Sequence, residues 1–376
     1  MHRRHFLIAG AAGCAISPAL GWASGSKSVR IGQSASLTGT QTQYGKDVNL
    51  GLNAAFTAAN KAEGANGLNF ELLALDDGGV KERVVSNAKS LIDVGATALV
   101  GFTSGIGAQD CMPLTLEHQI SMIGTASGNM GIRAGSPPPG TAHVRAGYDI
   151  EYKQMIAYLK TFGFNKVGYV YLQDTSKINL ATMTTVMDSA GIKPPIALGV
   201  DRNAKDIDSA AKQLLAAKLD CVVFTTNAAP VLAIMKQMND GGFPGMFFAS
   251  SLAGQDLING VPAVGRSVVM SLVVPRPTAL GVGVVSQCTR DVAAINASAK
   301  MGVTVLEGYI AGRVTVEAAR QAAQRGGEVS RQRLRDALAN LKVDLGGYRV
   351  AYEGGASQGS QYVELVVVDR FGRIAG

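Results

Sequence analysis

Three short segments of the chain combine small residues with hydroxyls: Leu37-Thr38-Gly39 with Gln43-Tyr44-Gly45, Thr103-Ser104-Gly105-Ile106-Gly107, and Thr125-Ala126-Ser127-Gly128-Asn129. Residues of this size let backbone N–H groups approach a ligand, and the hydroxyls can donate or accept. Two of the segments run into expected helix N-termini, where free N–H groups and the helix dipole favour an anion such as a carboxylate. The chemistry on offer is recognition of a polar solute. Any one segment alone reads as an ordinary strand-to-helix turn; three at one sheet edge point to a binding cleft. Tyr44 fits either a lid over the ligand or a cap at a helix start.

Bond-making chemistry has fewer residues to draw on. Past the first 23 residues only His118 and His143 remain as histidines, so a Ser-His-Asp or Cys-His site would need one of them. His118 ends a helical pattern, where a cation is favourable in any case, and His143 opens an expected strand. In Gly101-Phe-Thr-Ser-Gly105 and Gly124-Thr-Ala-Ser-Gly128 the serine is the fourth residue, not the third as in a nucleophile elbow. Gly39 to Lys46 lacks both the glycine spacing of a phosphate loop and its Ser/Thr. Asp76-Asp77 are neighbours on a strand and point to opposite faces, so turn formation and capping of the helix from Lys81 explain them better than paired catalysis. No metal-ligand spacing and no dinucleotide fingerprint occurs, so no cofactor is expected and an enzyme is disfavoured.

Composition narrows the classes further. The chain has 376 residues, 47% hydrophobic and 17% charged, which suits a globular protein. Met1–Phe6 is basic with Arg3 and Arg4, Leu7–Leu20 is apolar, and Gly21-Trp22-Ala23 ends in small residues: the tripartite pattern of a cleaved export signal over 1–23. The paired arginines also fit the twin-arginine route, and Cys14 lies within the signal. Loss of the signal removes two arginines and no acid, so the formal charge falls from +7 to +5. The densest basic run, Arg331, Arg333 and Arg335, has no interleaved aromatics and reads as a solvated helix face, not a nucleic-acid surface. Cys111, Cys221 and Cys288 are odd in number and read as buried free thiols.

The elements that would carry the three loops alternate strand and helix. Val29–Ser36, Asn69–Asp76, Thr97–Phe102 and Ser121–Gly124 read as strands, separated by helices over Lys46–Asn60, Lys81–Val94 and Gly107–His118. After the loop Gly135-Ser-Pro-Pro-Pro-Gly140 a second series begins: helices over Asp149–Phe162, Ile178–Ser189, Asp206–Ala217 and Pro230–Asn239, and strands over Lys166–Leu172, Ile192–Val200, Cys221–Thr226 and Met246–Ser250. Repeated strand–helix units predict α/β architecture with two lobes, each a parallel sheet flanked by helices. Three crossovers, at Thr141–Ala146, Val273–Pro277 and Leu345–Val350, would join lobe I (27–142 plus 277–345) to lobe II (146–273 plus 349–376). Ligands of such sheets sit beyond the carboxyl ends of the strands, where the three loops fall.

Several motifs resemble the type I periplasmic solute-binding proteins of ABC importers, in the branched-chain amino acid (Leu/Ile/Val) binding family: Ile31-Gly-Gln-Ser-Ala-Ser-Leu-Thr-Gly39, Tyr44-Gly45, Leu72-Leu-Ala-Leu-Asp-Asp-Gly78, Leu99-Val-Gly101, Val144-Arg-Ala-Gly-Tyr148, Leu306-Glu-Gly-Tyr-Ile-Ala-Gly-Arg313 and Gln358-Gly-Ser-Gln-Tyr-Val-Glu-Leu365. The resemblance implies a monomeric periplasmic receptor that closes on a small solute and delivers it to an inner-membrane ABC permease. Its site would use Tyr44, Ser104, Gly105, Thr125, Ala126 and Ser127 on one lobe, with Tyr148, Asp174, Asn227 and Ser251 from the hinge and the other. The acid that family members place near residue 250 is missing from Ala249-Ser250-Ser251-Leu252. An amino acid's ammonium would then depend on Asp174, and a carboxylate or a neutral polar solute stays open. Two alternatives keep an exported chain and give it a different role, either as a sensor docking on a receptor kinase or chemoreceptor, or as a hydrolase using His118 or His143.

Overall fold

The computed structural model describes residues 27–62, 67–324 and 328–375; the expected signal lies outside them. The first sheet contains β1 (Lys27–Ala35), β2 (Leu68–Asp76), β3 (Ala98–Val100), β4 (Ser121–Ile123) and β5 (Thr141–Ala142), all parallel, in the order β2-β1-β3-β4-β5. Between them run α1 (Thr42–Lys61), α2 (Lys81–Asp93), α3 (Gly105–Asp110) and α4 (Met112–Glu117).

The second sheet is built from α5 (Tyr148–Thr161), β6 (Val167–Leu172), α6 (Lys177–Ser189), β7 (Ile196–Val200), α7 (Ile207–Ala216), β8 (Cys221–Thr225), α8 (Ala228–Asp240), β9 (Met246–Ala249), α9 (Gly254–Val264) and β10 (Val268–Leu272). The chain then gives α10 (Gly283–Ile295), α11 (Val303–Ala323), α12 (Arg331–Leu338), the hairpin β11 (Lys342–Asp344) and β12 (Arg349–Ala351), and finally β13 (Glu364–Val368) and β14 (Ile374–Ala375). Sheet order is β14-β13-β10-β9-β8-β6-β7. It is parallel from β10 to β7, and its last two strands run antiparallel, β13 on β10 and β14 on β13. Each sheet thus has the helix-flanked α/β form that the alternating pattern predicts.

Local chemistry explains where boundaries depart from expectation. The helix expected over Gly107–His118 is two helices, because Pro113 in the first turn of α4 has no N–H to continue the ladder from α3. Strand β7 starts at Ile196, not Ile192, since Pro194 and Pro195 cannot donate to a ladder. Helix α1 begins at Thr42, a turn before the expected Lys46. That early turn packs on the β1 loop so closely that a Cβ on Gly45 would lie 2.1 Å from the Ser36 carbonyl oxygen. Helix α2 has Val80, without a side-chain cap bond, at its N-cap, so Asp76 and Asp77 do not cap it. Helix α9, with Pro262 inside it, was not legible as a helix.

The core of the first lobe is the crossing of α1 and α11. A Cβ at Gly51 would fall 2.1 Å from Val305 O, and one at Gly308 would fall 2.2 Å from Val48 O, so the two backbones touch. The chain passes between the sheets after β5, after β10 and after β12, and buried Tyr348 joins these passages: its Oη donates to Val144 O at 2.8 Å and Val273 O at 3.0 Å. Cys111, Cys221 and Cys288 are free and buried. Arg331 is not simply solvated; its guanidinium donates to Ile92 O and Ala96 O, satisfying carbonyls where α2 ends. Among the described residues no helix is long and apolar enough to cross a membrane.

Candidate functional site

A cavity of about 40 Å³ lies where the carboxyl ends of the two sheets face each other. Ser104, Gly105, Ser127, Tyr148 and Asp174 line it, whereas Tyr44, Thr125, Ala126, Asn227 and Ser251 stand behind that lining. Asn129, Asn179 and Arg202 also line it, though sequence reasoning did not single them out as site residues.

On the first-lobe side the lining is built from the β3 and β4 loops. Ser104 is the N-cap of α3, its Oγ accepting the Gly107 N–H at 3.1 Å, so its own O–H is left to face the cavity. A Cβ on Gly105 would lie 2.3 Å from Ser127 Oγ; its absence lets the two loops close on one another. Asn129 Nδ2 donates to Gly105 O at 2.8 Å and fixes that contact, while Ser127 Oγ stands 3.5 Å from Tyr148 Oη. Tyr44 is buried beneath this turn, its Oη donating to Ala126 O at 2.8 Å, so it props the turn from behind. Burial, reinforced by Glu307, holds its phenol well above the ordinary range. Asp76 and Asp77 shape the first loop: Asp76 accepts from the Leu37 and Thr38 N–H groups, and Asp77 from the hydroxyls of Ser34 and Ser36.

On the second-lobe side the dominant feature is a fork. Arg202, after β7, donates from Nη2 and Nε to the two oxygens of Asp174 at 2.9 and 3.1 Å. Asn227 Nδ2 holds the Arg202 carbonyl at 3.0 Å, so Asn227 acts on the cavity through Arg202. The Asn227 Oδ1 and Thr125 Oγ1 atoms are buried without a hydrogen-bond partner among the described residues. Arg202 lies just beyond the carboxyl end of a strand, and that edge rule is the signal that would have found it.

Ser251 belongs to a buried ionic cluster below the cavity. Arg145 donates to Glu307 Oε1 at 3.0 Å, to Glu151 Oε1 at 2.5 Å and to Ser251 Oγ at 2.5 Å. Glu151 Oε2 accepts from the Ser251 N–H at 2.9 Å and Ser271 Oγ at 2.5 Å. Burial alone would lower the Arg145 guanidinium, but Glu307 and Glu151 outweigh it and hold it above its ordinary range. The cluster therefore binds α11 of one lobe to α5 and the β9 loop of the other. At the rim the lobes meet through Thr40 Oγ1 to Asn203 Oδ1 at 2.7 Å, Met130 N–H to Asn179 Oδ1 at 2.7 Å and Gln255 N–H to Thr304 Oγ1 at 3.0 Å.

Neither histidine lines the cavity. His143 is buried with Nε2 3.0 Å from Ile132 O, and burial beside Arg133 keeps it well below its usual range; half-buried His118 sits by Glu117. Among the described residues no group of His, Cys, Asp and Glu is placed to hold a metal ion.

Two α/β lobes joined by three passages, with a polar cavity between their strand ends, define a solute-binding receptor that closes on its ligand. The chain belongs to the periplasmic binding protein family, whose pattern matches residues 28–373. A substrate-binding periplasmic protein from Ralstonia solanacearum is similar at 25% identity and a TM-score of 0.85, over 92% of this chain and 99% of that one. A possible leucine/isoleucine/valine-binding protein from Rhodopirellula baltica SH 1 shares the fold at 22% identity and a TM-score of 0.82, over 91% and 94% of the two chains. So does an ABC transporter solute-binding protein from R. palustris in complex with benzoate, at 14% identity and a TM-score of 0.81, over 93% and 95%. None of the curated proteins matches the chain.

Proposed function

We propose that this receptor works in the periplasm, capturing a small solute that bears a carboxylate and no free ammonium, and presents it to an inner-membrane ABC permease. The observation that carries this reading is the Asp174–Arg202 fork. Asp174 is the one carboxylate among the cavity-lining residues, and both its oxygens are engaged by Arg202. An amino acid's ammonium would meet no unengaged acid, and an unpaired buried charge is costly. The opposite wall suits an anion: the hydroxyls of Ser104 and Ser127, and the Gly105 and Ile106 N–H groups at the start of α3, which have no intrahelical acceptor. The benzoate bound by the R. palustris protein is a ligand of this chemical type on the same fold.

The cavity of about 40 Å³ has room for roughly three water molecules, so a solute enters by parting the lobes at the rim contacts. The test is a thermal-shift screen of refolded protein against short and aromatic carboxylates, their primary amides and branched-chain amino acids. A ligand at 100 times its dissociation constant adds about 2.7 kcal/mol, or roughly 5–10 °C for a protein of this size. Stabilisation by a carboxylate but not by its amide, abolished in Ser104→Trp, is the expected result. Stabilisation by leucine or valine alone would overturn the missing-ammonium argument.

A further inference from the structure

Among the described residues Arg202 and Asp174 are the only charged side chains in the lining of the cleft cavity, and they hold each other. The two are supported very differently. Arg202 is anchored from behind: Asn227 Nδ2 fixes its carbonyl, and the turn that carries it is closed by the Asn203 N–H on Asp201 Oδ1 at 2.8 Å and the Asp201 N–H on Asp206 Oδ1 at 3.1 Å. Its Nη1 also reaches Gln41 Oε1 on the first lobe at 3.4 Å. Asp174 has no such support. Its side chain is 51% exposed against 21% for Arg202, and Arg202 is its one hydrogen-bond partner among the described residues.

An ion pair with one partner this exposed is weak, worth a factor of roughly five or less in an equilibrium. A guanidinium fork fits any carboxylate, whether it comes from the chain or from a solute. Arg202 and Ser104 line the same cavity of about 40 Å³, so a carboxylate lying between them meets the Ser104 hydroxyl on one lobe and the fork on the other. Asp174 blocks that fork while it is paired. Swung aside, its carboxylate goes to water at little cost.

We propose that Arg202 is the cation that selects the solute's carboxylate, and that Asp174 is its built-in competitor, giving up the fork when the solute takes it. This rests on the cleft taking a carboxylate, as proposed above, and adds the residue that reads the charge. The exchange keeps Arg202 paired throughout, which spares the closed cleft an unpaired cation. It also discriminates: a neutral solute offers nothing to replace the ion pair it would have to break.

The sign of one substitution decides the matter. Asp174→Asn removes the competitor and keeps its shape, so acetate, butyrate and phenylacetate should bind roughly three- to tenfold more tightly than to wild type. The readout is isothermal titration calorimetry at fixed ionic strength, with the three primary amides as neutral controls. Arg202→Gln should weaken the carboxylates roughly tenfold or more and leave the amides unchanged, so the preference for charge disappears. Arg202→Lys, which keeps the charge without the fork, should fall between. Melting temperatures without solute should stay within about 4 °C of wild type, because only an exposed pair is lost. Carboxylate binding that is unchanged or weaker in Asp174→Asn would overturn the competitor, and a carboxylate preference that survives Arg202→Gln would overturn the selector. Either result leaves the cleft a carboxylate site. No carboxylate bound by wild type or by Asp174→Asn, with leucine or valine bound by wild type alone, would overturn that reading of the cleft and this one with it.

Discussion

Replacing Arg145 with methionine should destabilise the protein heavily and make its stability depend on pH in a defined direction. Arg145 is fully buried and is the one ion-pair partner of Glu307, itself 5% exposed, among the described residues, and it also bonds Glu151. Glu151 would keep its bonds from Ser251 N–H, Ser251 Oγ and Ser271 Oγ in the variant. Glu307 would keep no ion-pair partner among the described residues. Removing one member of a buried pair leaves an uncompensated charge and costs about 3–5 kcal/mol. At roughly 2–4 °C per kcal/mol, the melting temperature should fall by about 6–20 °C.

The pH arm separates this from a loss of packing. Burial already holds the Glu307 carboxyl above its ordinary range, with Arg145 pulling it back down. Without Arg145 it rises further, so the folded variant binds a proton that the unfolded chain, near 4.3, has released. A raised carboxyl contributes stability that is full below its unfolded value and is lost as pH climbs through the folded one. The calorimetric deficit of Arg145→Met against wild type should therefore be larger at pH 8 than at pH 5. Adding Glu307→Gln should recover part of it at pH 8. A melting temperature within about 2 °C of wild type, or a deficit that is flat with pH and indifferent to Glu307→Gln, would refute the reasoning.

Two further outcomes follow from buried groups elsewhere. Burial pushes the Asp47 carboxyl up to about 6, with Gln43's hydrogen bond opposing and Asp256 adding. Its contribution is thus full below about pH 4 and lost as pH rises through 6, so Asp47→Asn should gain up to about 3 kcal/mol over wild type at pH 8 and little at pH 4, read by thermal melts across that range. Burial also pushes the thiols of Cys111 and Cys221 up to about 12 and raises Cys288, so none should react with iodoacetamide at pH 8 until denaturant is added. Labelling of the native protein would contradict the buried positions of these residues.

Periodicity and turn chemistry carried the architecture, because a half-buried strand or an amphipathic helix writes its environment into neighbouring residues. The helix Val48, Leu52, Ala55, Phe56, Ala59 and the strand Cys221–Thr225 were readable on those grounds. Helix α9 was not, since its glycine start and internal proline mask the pattern that its burial against α8 imposes. The placement of the candidate loops was legible to the same depth. Ser104, Gly105 and Ser127 sit at sheet edges that any βα pattern marks. The Arg145–Glu307 pair spans 162 residues and the Arg133–Gln358 bond spans 225, separations that no local signal encodes. Ser251 was placed at the cleft by its position after β9, yet its hydroxyl turns down into Glu151.

The two kinds of contact between the lobes have opposite physical character, and that difference is what permits a receptor to open. Tyr348 with its two carbonyls, and Arg145 with its two carboxylates, are buried at the passages, where loss of a partner leaves a desolvated polar group behind. The rim contacts, Thr40 with Asn203, Met130 with Asn179 and Gln255 with Thr304, are exposed or half-buried, and water replaces them as they part. Each such bond is worth about 1 kcal/mol net, so opening the rim costs a few kcal/mol while the hinge cluster stays intact. A ligand that bridges the two walls supplies binding energy of the same order, enough to shift the population between open and closed forms in either direction. The ionic cluster thus ties the lobes where the passages run, and the weaker rim contacts are the ones a ligand's binding energy can outweigh.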